Sequence, residues 1–112
     1  MFAFLMGLKS FSPNEVQQLL AAHAAAVFDV NNLQSWQAAH LPGARHLDPL
    51  GFALEDLPAD KAAQLVFYCS NPLCRKAPNA ARRAKQMGYV NAAVMSAGIR
   101  GWQDAKLPTE AA

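Results

Sequence analysis

The sequence predicts an α/β fold in which a small parallel sheet is flanked by helices on both faces. Runs of strand length, Ala26-Val27-Phe28-Asp29-Val30 and Leu65-Val66-Phe67-Tyr68-Cys69, are apolar almost throughout, as strands covered on two faces are. They alternate with stretches of helical spacing that open on caps and close on Gly or Pro. With 112 residues, 53% of them hydrophobic, the chain can bury one core without disulfides and is too short for two ordinary domains. Residues 1–112 therefore read as one domain with an apolar N-terminal segment at 1–8.

Each element has a local reason. Ser12-Pro13-Asn14-Glu15 starts a helix: Ser caps, Pro suits the first helical position, and Glu three residues after the cap closes a capping box. Val16, Leu19, Leu20 and His23 continue it at helical spacing, and Ala26 to Val30 follows as a strand. Leu33 to His40 forms a short helix ended by Leu41-Pro42-Gly43, because Pro disfavours helix at the residue before it and Gly supplies a turn. Ala44 to Leu47 is a brief strand.

Asp48 to Gln64 is broken by Pro49, Gly51 and Pro58 into short helical turns. Leu65 to Cys69 is the next strand, interrupted at Asn71-Pro72. Pro78 opens the following helix; Ala80, Ala81, Ala84 and Met87 form its inner face, and Gly88 suits the left-handed position after its end. Val90 to Ser96 is a strand, Gly98 to Ala105 a helix carrying Trp102, and Leu107-Pro108 ends the fold.

The net charge of +2 hides an asymmetry. Residues 1–60 hold Lys9 and Arg45 against six acidic residues, a net of −4, so the remainder carries +6. That favours an anionic substrate or partner near the second half. Met1 to Leu8 lacks a basic stretch and is far shorter than the ~20 residues of a membrane span, so the expectation is a cytoplasmic protein without membrane attachment. Nucleic acid is disfavoured, since Tyr89 is the only aromatic residue near Arg75, Lys76, Arg82, Arg83 and Lys85. Those last three read as a solvated helix face, with an acidic protein or carrier as an alternative partner.

Two cysteines, Cys69 and Cys74, are too few for a disulfide scaffold and close enough for a local chemical site. Cys69-Ser70-Asn71-Pro72-Leu73-Cys74-Arg75 joins a strand end to a helix start, so backbone N–H groups can curl around the thiol and a bound anion. Arg75 and Lys76 add positive charge. Such surroundings favour thiolate, and a drop of roughly two pKa units corresponds to about 2.7 kcal/mol. Pro72 leaves one gap in the cradle, and Asn71 replaces glycine by tolerating the left-handed conformation. Cys69 could instead be a buried small hydrophobe. Cys74 is open between a resolving thiol, a packing residue and half of a metal pair. No metal site is expected from two thiols, because the three His residues show no ligand spacing relative to them.

Four stretches in order resemble the rhodanese family over Leu8 to Glu110. Val27-Phe28-Asp29-Val30 with Trp36 and His40-Leu41-Pro42-Gly43-Ala44 is similar to the family's Asp-Val and His-Ile-Pro-Gly-Ala segment. Leu65 to Cys69 is similar to the strand that delivers its cysteine, and the helix ending Met87-Gly88-Tyr89 to the one after the active loop. Ser96-Ala97-Gly98-Ile99-Arg100-Gly101-Trp102 with Leu107-Pro108 is similar to its closing Gly-Gly, Trp and Leu-Pro stretch.

The resemblance implies a rhodanese-like fold and a cofactor-free sulfurtransferase. Cys69 would take sulfane sulfur from a small anionic donor such as thiosulfate and pass it from a persulfide to a thiol acceptor. Ser70, Asn71, Leu73, Cys74, Arg75 and Lys76 would form the substrate-binding loop, with Arg75 steering the donor. Asp29 and His40 would be structural, and Trp36 and Trp102 core. The oligomeric expectation is a monomer or homodimer.

Departures open alternatives. Five residues separate Cys69 from Arg75 where the commonest family loop has four, and none is glycine. The longer spacing resembles that of cell-cycle dual-specificity phosphatases and related arsenate reductases, although those usually have His where this chain has Tyr68. Asn31 stands where the family often has Arg, removing a salt-bridge partner. A non-catalytic redox module closing a Cys69–Cys74 disulfide is the third reading.

Overall fold

A computed structural model describes residues 7–112. Most of the apolar segment at 1–8 lies outside the described residues; Leu8 is buried. The elements are α1 (Pro13–Ala21), β1 (Ala26–Asp29), α2 (Leu33–Ala38), β2 (Arg45–His46), a 3₁₀ turn (Leu54–Asp56), β3 (Leu65–Tyr68), α3 (Lys76–Gln86), β4 (Ala92–Val94) and α4 (Gly98–Asp104).

The four strands pair in parallel in the order β2-β1-β3-β4. Alternation along each strand sorts the core into two layers. Val27, Val66, Tyr68 and Ala93 pack with Val16 of α1 and Trp102 of α4. On the other face Phe28, Leu65, Phe67, Ala92 and Val94 pack with Ala77, Ala80, Ala81 and Ala84 of α3. Helices on both faces are thus what the all-apolar strands required. The alanines let α3 lie close to the sheet.

The capping box at α1 forms as its sequence predicts, with the Glu15 N–H on Ser12 Oγ at 3.1 Å and the Ser12 N–H on Glu15 Oε1 at 2.8 Å. Several limits differ. β4 is confined to Ala92–Val94, and Val90 is exposed. α3 starts two residues before Pro78, which occupies the first turn, where its missing N–H interrupts no helical bond. A pairing the local pattern does not announce runs beside β4: the Val94 N–H donates to Lys9 O at 3.0 Å and the Phe11 N–H to Val94 O at 2.8 Å. Three residues with Ser in the middle carry too little periodicity to read as a strand.

Trp102 is core, its indole N–H bonded to Pro108 O at 2.8 Å. Trp36 is not. It is half-buried on α2, a helix with no buried residue, stacks on His40 with centroids 4.3 Å apart, and donates to Ala44 O at 2.9 Å. A large apolar side chain marks the core only when its element packs flat on the sheet, and α2 is too short to do so. His40 is buried against this stack with Nδ1 2.5 Å from Trp36 O, bracing the turn. Arg83 also departs from a purely solvated role: its guanidinium lies over the Phe52 ring and donates to Phe52 O at 3.1 Å, pinning the irregular 48–57 segment to α3.

Candidate active site

Cys69 immediately follows β3 at the C-terminal edge of the sheet, where sites of parallel α/β folds lie. It is 3% exposed and faces the α3 layer. The chain then makes a turn from Asn71 to Cys74, closed by the Cys74 N–H on Asn71 O at 3.1 Å and by the Leu73 N–H on Asn71 Oδ1 at 2.9 Å. Asn71 therefore shapes the loop with its side chain; positive φ among the described non-glycine residues is confined to His23 and Lys106. With Pro72 lacking a donor, the gap in the cradle spans residues 72–74 rather than Pro72 alone. Leu73 instead offers an exposed side chain.

The donors that reach sulfur come from the two ends of the loop. N–H groups of Ser70 and Ala77 are oriented to Cys69, and those of Ser70 and Lys76 to Cys74. Lys76 and Ala77 are the first two residues of α3, so their N–H groups lack helical partners and carry the positive end of the helix dipole. Arg75 precedes them at the exposed rim, and Lys76 is also exposed.

The expectation of a depressed Cys69 pKa is corrected. Burial pushes the Cys69 thiol up, and the neighbouring Cys74 reinforces it, against the N–H groups of Ala77 and Ser70. Partial burial resists ionisation of Cys74 too, but the hydrogen bond from Cys69, the N–H groups of Lys76 and Ser70 and the Lys76 charge outweigh it and hold Cys74 below the usual thiol range. The two sulfurs lie in a common site and their ionisations oppose one another. Ionisation is easier at Cys74 than at Cys69, and the Cys69 S–H is directed at Cys74, including the Cys74 carbonyl at 3.6 Å.

Two ties position this loop. Ser70 Oγ donates to Asn31 Oδ1 at 2.8 Å, and the Ile99 and Arg100 N–H groups of α4 donate to Cys69 O and Ser70 O at 2.9 and 3.0 Å. The second tie needs Gly98, whose φ is +67° and whose added Cβ would meet Ser70 and Asn71 backbone atoms at 2.5–2.6 Å. Asn31 is buried, so where an arginine was missed in the sequence a neutral side chain makes the link. Its role as a tie was hidden because its partner lies 39 positions away.

Asp29 and Tyr68 face the opposite layer from Cys69. Tyr68 Oη donates to Asp29 Oδ2 at 2.8 Å and accepts the Leu41 N–H at 3.1 Å, while the Asn31 N–H donates to Asp29 Oδ1 at 2.8 Å. Burial raises the Asp29 pKa, and the Tyr68 and Asn31 donors oppose that rise. The Tyr68 hydroxyl, buried and beside a carboxylate, is pushed up and stays protonated. Asp29 is thus a strand-end brace, as the sequence suggests. Beside the loop, a cleft of about 360 Å³ is lined by Asn31, Leu33, His46, Leu50 and Lys76.

Among the described residues no group of three or more His, Cys, Asp or Glu is placed to hold a metal, and no helix is long and apolar enough to cross a membrane. A thiol at the end of a central parallel strand, met by the first turn of a helix, defines an α/β protein with a candidate cysteine-centred site. Residues 12–105 match the rhodanese-like domain family, and the chain belongs to it.

Solved structures agree on the fold. The BH2092 protein from Bacillus halodurans is 18% identical with a TM-score of 0.85, covering 98% of this chain and 82% of that one. The human single-domain sulfurtransferase TSTD1 is 24% identical with a TM-score of 0.70, covering 85% and 95%. A protein of unknown function from Rhodopseudomonas palustris, described as a possible tyrosine phosphatase, is 20% identical with a TM-score of 0.76, covering 93% and 86%.

Proposed function

We propose that this chain is a sulfurtransferase in which Cys69 takes sulfane sulfur from a small anionic donor such as thiosulfate and hands it to a thiol acceptor. The observation that carries this reading is the meeting of Cys69, at the end of β3, with the Ala77 N–H in the first turn of α3. Membership of the rhodanese-like family supports a sulfurtransferase-type enzyme. Cys69 releases its proton to solvent as its sulfur attacks the outer sulfur of thiosulfate. A new S–S bond forms, the old one breaks, and sulfite leaves with the electron pair. The Ser70 and Ala77 N–H groups stabilise the persulfide anion that results. An acceptor thiolate then takes the outer sulfur.

The Cys69-to-Arg75 spacing favours a second reading, a phosphatase or arsenate reductase. Against it, a tetrahedral oxyanion needs several converging loop donors, whereas the Leu73 and Cys74 N–H groups are engaged by Asn71 and Pro72 has none. The decisive measurement is sulfite release from thiosulfate in a single turnover. One equivalent per chain is expected from the wild type and none from Cys69→Ser; equal release by both proteins excludes Cys69 as the nucleophile. A burst of phenolate from an aryl phosphate without sulfite formation would establish the second reading instead.

A further inference from the structure

Cys74 lies beside Cys69 in the same short loop. The Asn71 to Cys74 turn folds the chain back so that a partly exposed thiol lies against a thiol that is 3% exposed. Cys69 S–H points toward the Cys74 carbonyl at 3.6 Å, the two thiols are hydrogen-bonded to each other, both meet the Ser70 N–H, and the adjacent Ala77 and Lys76 N–H groups at the start of α3 meet Cys69 and Cys74 respectively. Their contact is built into one short loop and requires no movement of the sheet.

We propose that Cys74 is the resolving thiol of the Cys69 persulfide, expelling hydrosulfide and closing a Cys69–Cys74 disulfide. This rests on the persulfide reading above and adds the fate of the sulfur. Cys74 thiolate attacks Cys69 Sγ; the bond between the two cysteine sulfurs forms and the bond from Cys69 Sγ to the outer sulfur breaks. The persulfide takes up one proton from solvent before this step, and the outer sulfur departs as HS⁻ with the electron pair and that proton, so one negative charge enters and one leaves. Sulfane sulfur is reduced, and the cysteine pair is oxidised. A dithiol reductant then returns the pair to thiols and leaves as its own disulfide.

The choice of sulfur follows from leaving groups, since the more acidic thiol leaves faster. Attack on the outer sulfur would expel Cys69, whose buried thiolate is disfavoured; attack on Cys69 Sγ expels hydrosulfide, the better leaving group. The position of Cys74 against Cys69 supplies the effective concentration, and its lowered pKa favours the attacking thiolate over that of Cys69. The chemical class of the physiological acceptor is accordingly a dithiol reductant, and the product is free sulfide.

The experiment uses the reduced full chain, freed of small thiols, with one equivalent of thiosulfate. Sulfite, sulfide captured by a fluorogenic probe, and intact mass are followed together. Wild type is expected to release sulfite and then sulfide, and to end two hydrogens lighter than the reduced chain. Cys74→Ser and Cys74→Ala are expected to release sulfite, retain one added sulfur, and form sulfide at least roughly tenfold more slowly until a thiol is added. Sulfite release with a lasting persulfide in the wild type overturns the resolving role and leaves the sulfurtransferase reading standing. No sulfite from any of the three proteins overturns both. The wild-type result does not depend on the variants folding.

Discussion

Ser70 and Asn31 join the cysteine loop to the end of β1 through a 2.8 Å hydrogen bond between Ser70 Oγ and Asn31 Oδ1. Asn31 also donates its N–H to Asp29 and presents its carbonyl to His46 Nε2 at 2.8 Å. One buried residue, through its side chain and its backbone, therefore connects the loop, the strand-end brace and β2. Asn31→Ala is expected to cost about 1–2 kcal/mol in urea unfolding and to slow sulfite release. Ser70→Ala, which removes the hydroxyl of an exposed residue, should slow release with less loss of stability. Unchanged rates in both variants would remove the positioning role.

Gly98 is the second hold on the loop. Gly98→Ala combines a left-handed strain of about 1–2 kcal/mol with overlap of Cβ on the Ser70 and Asn71 backbone. The expected result is a lower Tm, by an amount equivalent to about 3 kcal/mol once overpacking is included, and loss of sulfur uptake. A fully active and equally stable Gly98→Ala protein contradicts the close approach.

Tyr68→Phe tests the strand-end brace through its pH dependence. The Asp29 pKa is raised in the folded chain, so the folded state binds the proton more tightly than the unfolded one. Stability therefore falls as pH rises from the unfolded value, about 3.9, through the folded one, and stays reduced above it. Removing the Tyr68 hydroxyl raises the folded pKa further and leaves the carboxylate with one donor fewer. Urea unfolding should show a deficit of about 1–3 kcal/mol at neutral pH that shrinks as the pH approaches 4. A gap of constant size across this range argues that the hydroxyl acts by packing alone.

The unequal acidity and exposure of the two thiols predict an order of modification. At neutral pH a limiting amount of iodoacetamide should label Cys74 before Cys69, as peptide mapping will show, because Cys74 is both more exposed and the more acidic thiol. In Cys74→Ala the neighbouring sulfur that raises Cys69 is gone. The pH profile of sulfite release in this variant is expected to move to lower pH. Preferential labelling of Cys69 in the wild type would reverse the assignment.

Much of the fold is legible along the chain. Val27-Phe28 and Leu65 to Tyr68 are apolar on both faces, so they had to be covered twice, and the helices between them had to supply the cover. Trp36 and the Lys9–Phe11 pairing were not legible, because α2 is too short to reach the sheet and three residues carry no usable period. The loop was half legible. Its helix-start donors follow from sequence position, but the engagement of the Leu73 and Cys74 N–H groups by Asn71 depends on how the turn closes.

The sequence by itself determined the order of strands and helices and delivered Cys69 to a strand end, since both depend on local periodicity, caps and breakers. Tertiary structure alone decided which groups meet that thiol. Asn31 on Ser70 and Tyr68 on Asp29 each join residues 39 positions apart, and Cys74 becomes the more acidic sulfur because burial falls harder on Cys69. Strand register and burial are properties of the packed sheet, and no short stretch of sequence contains them.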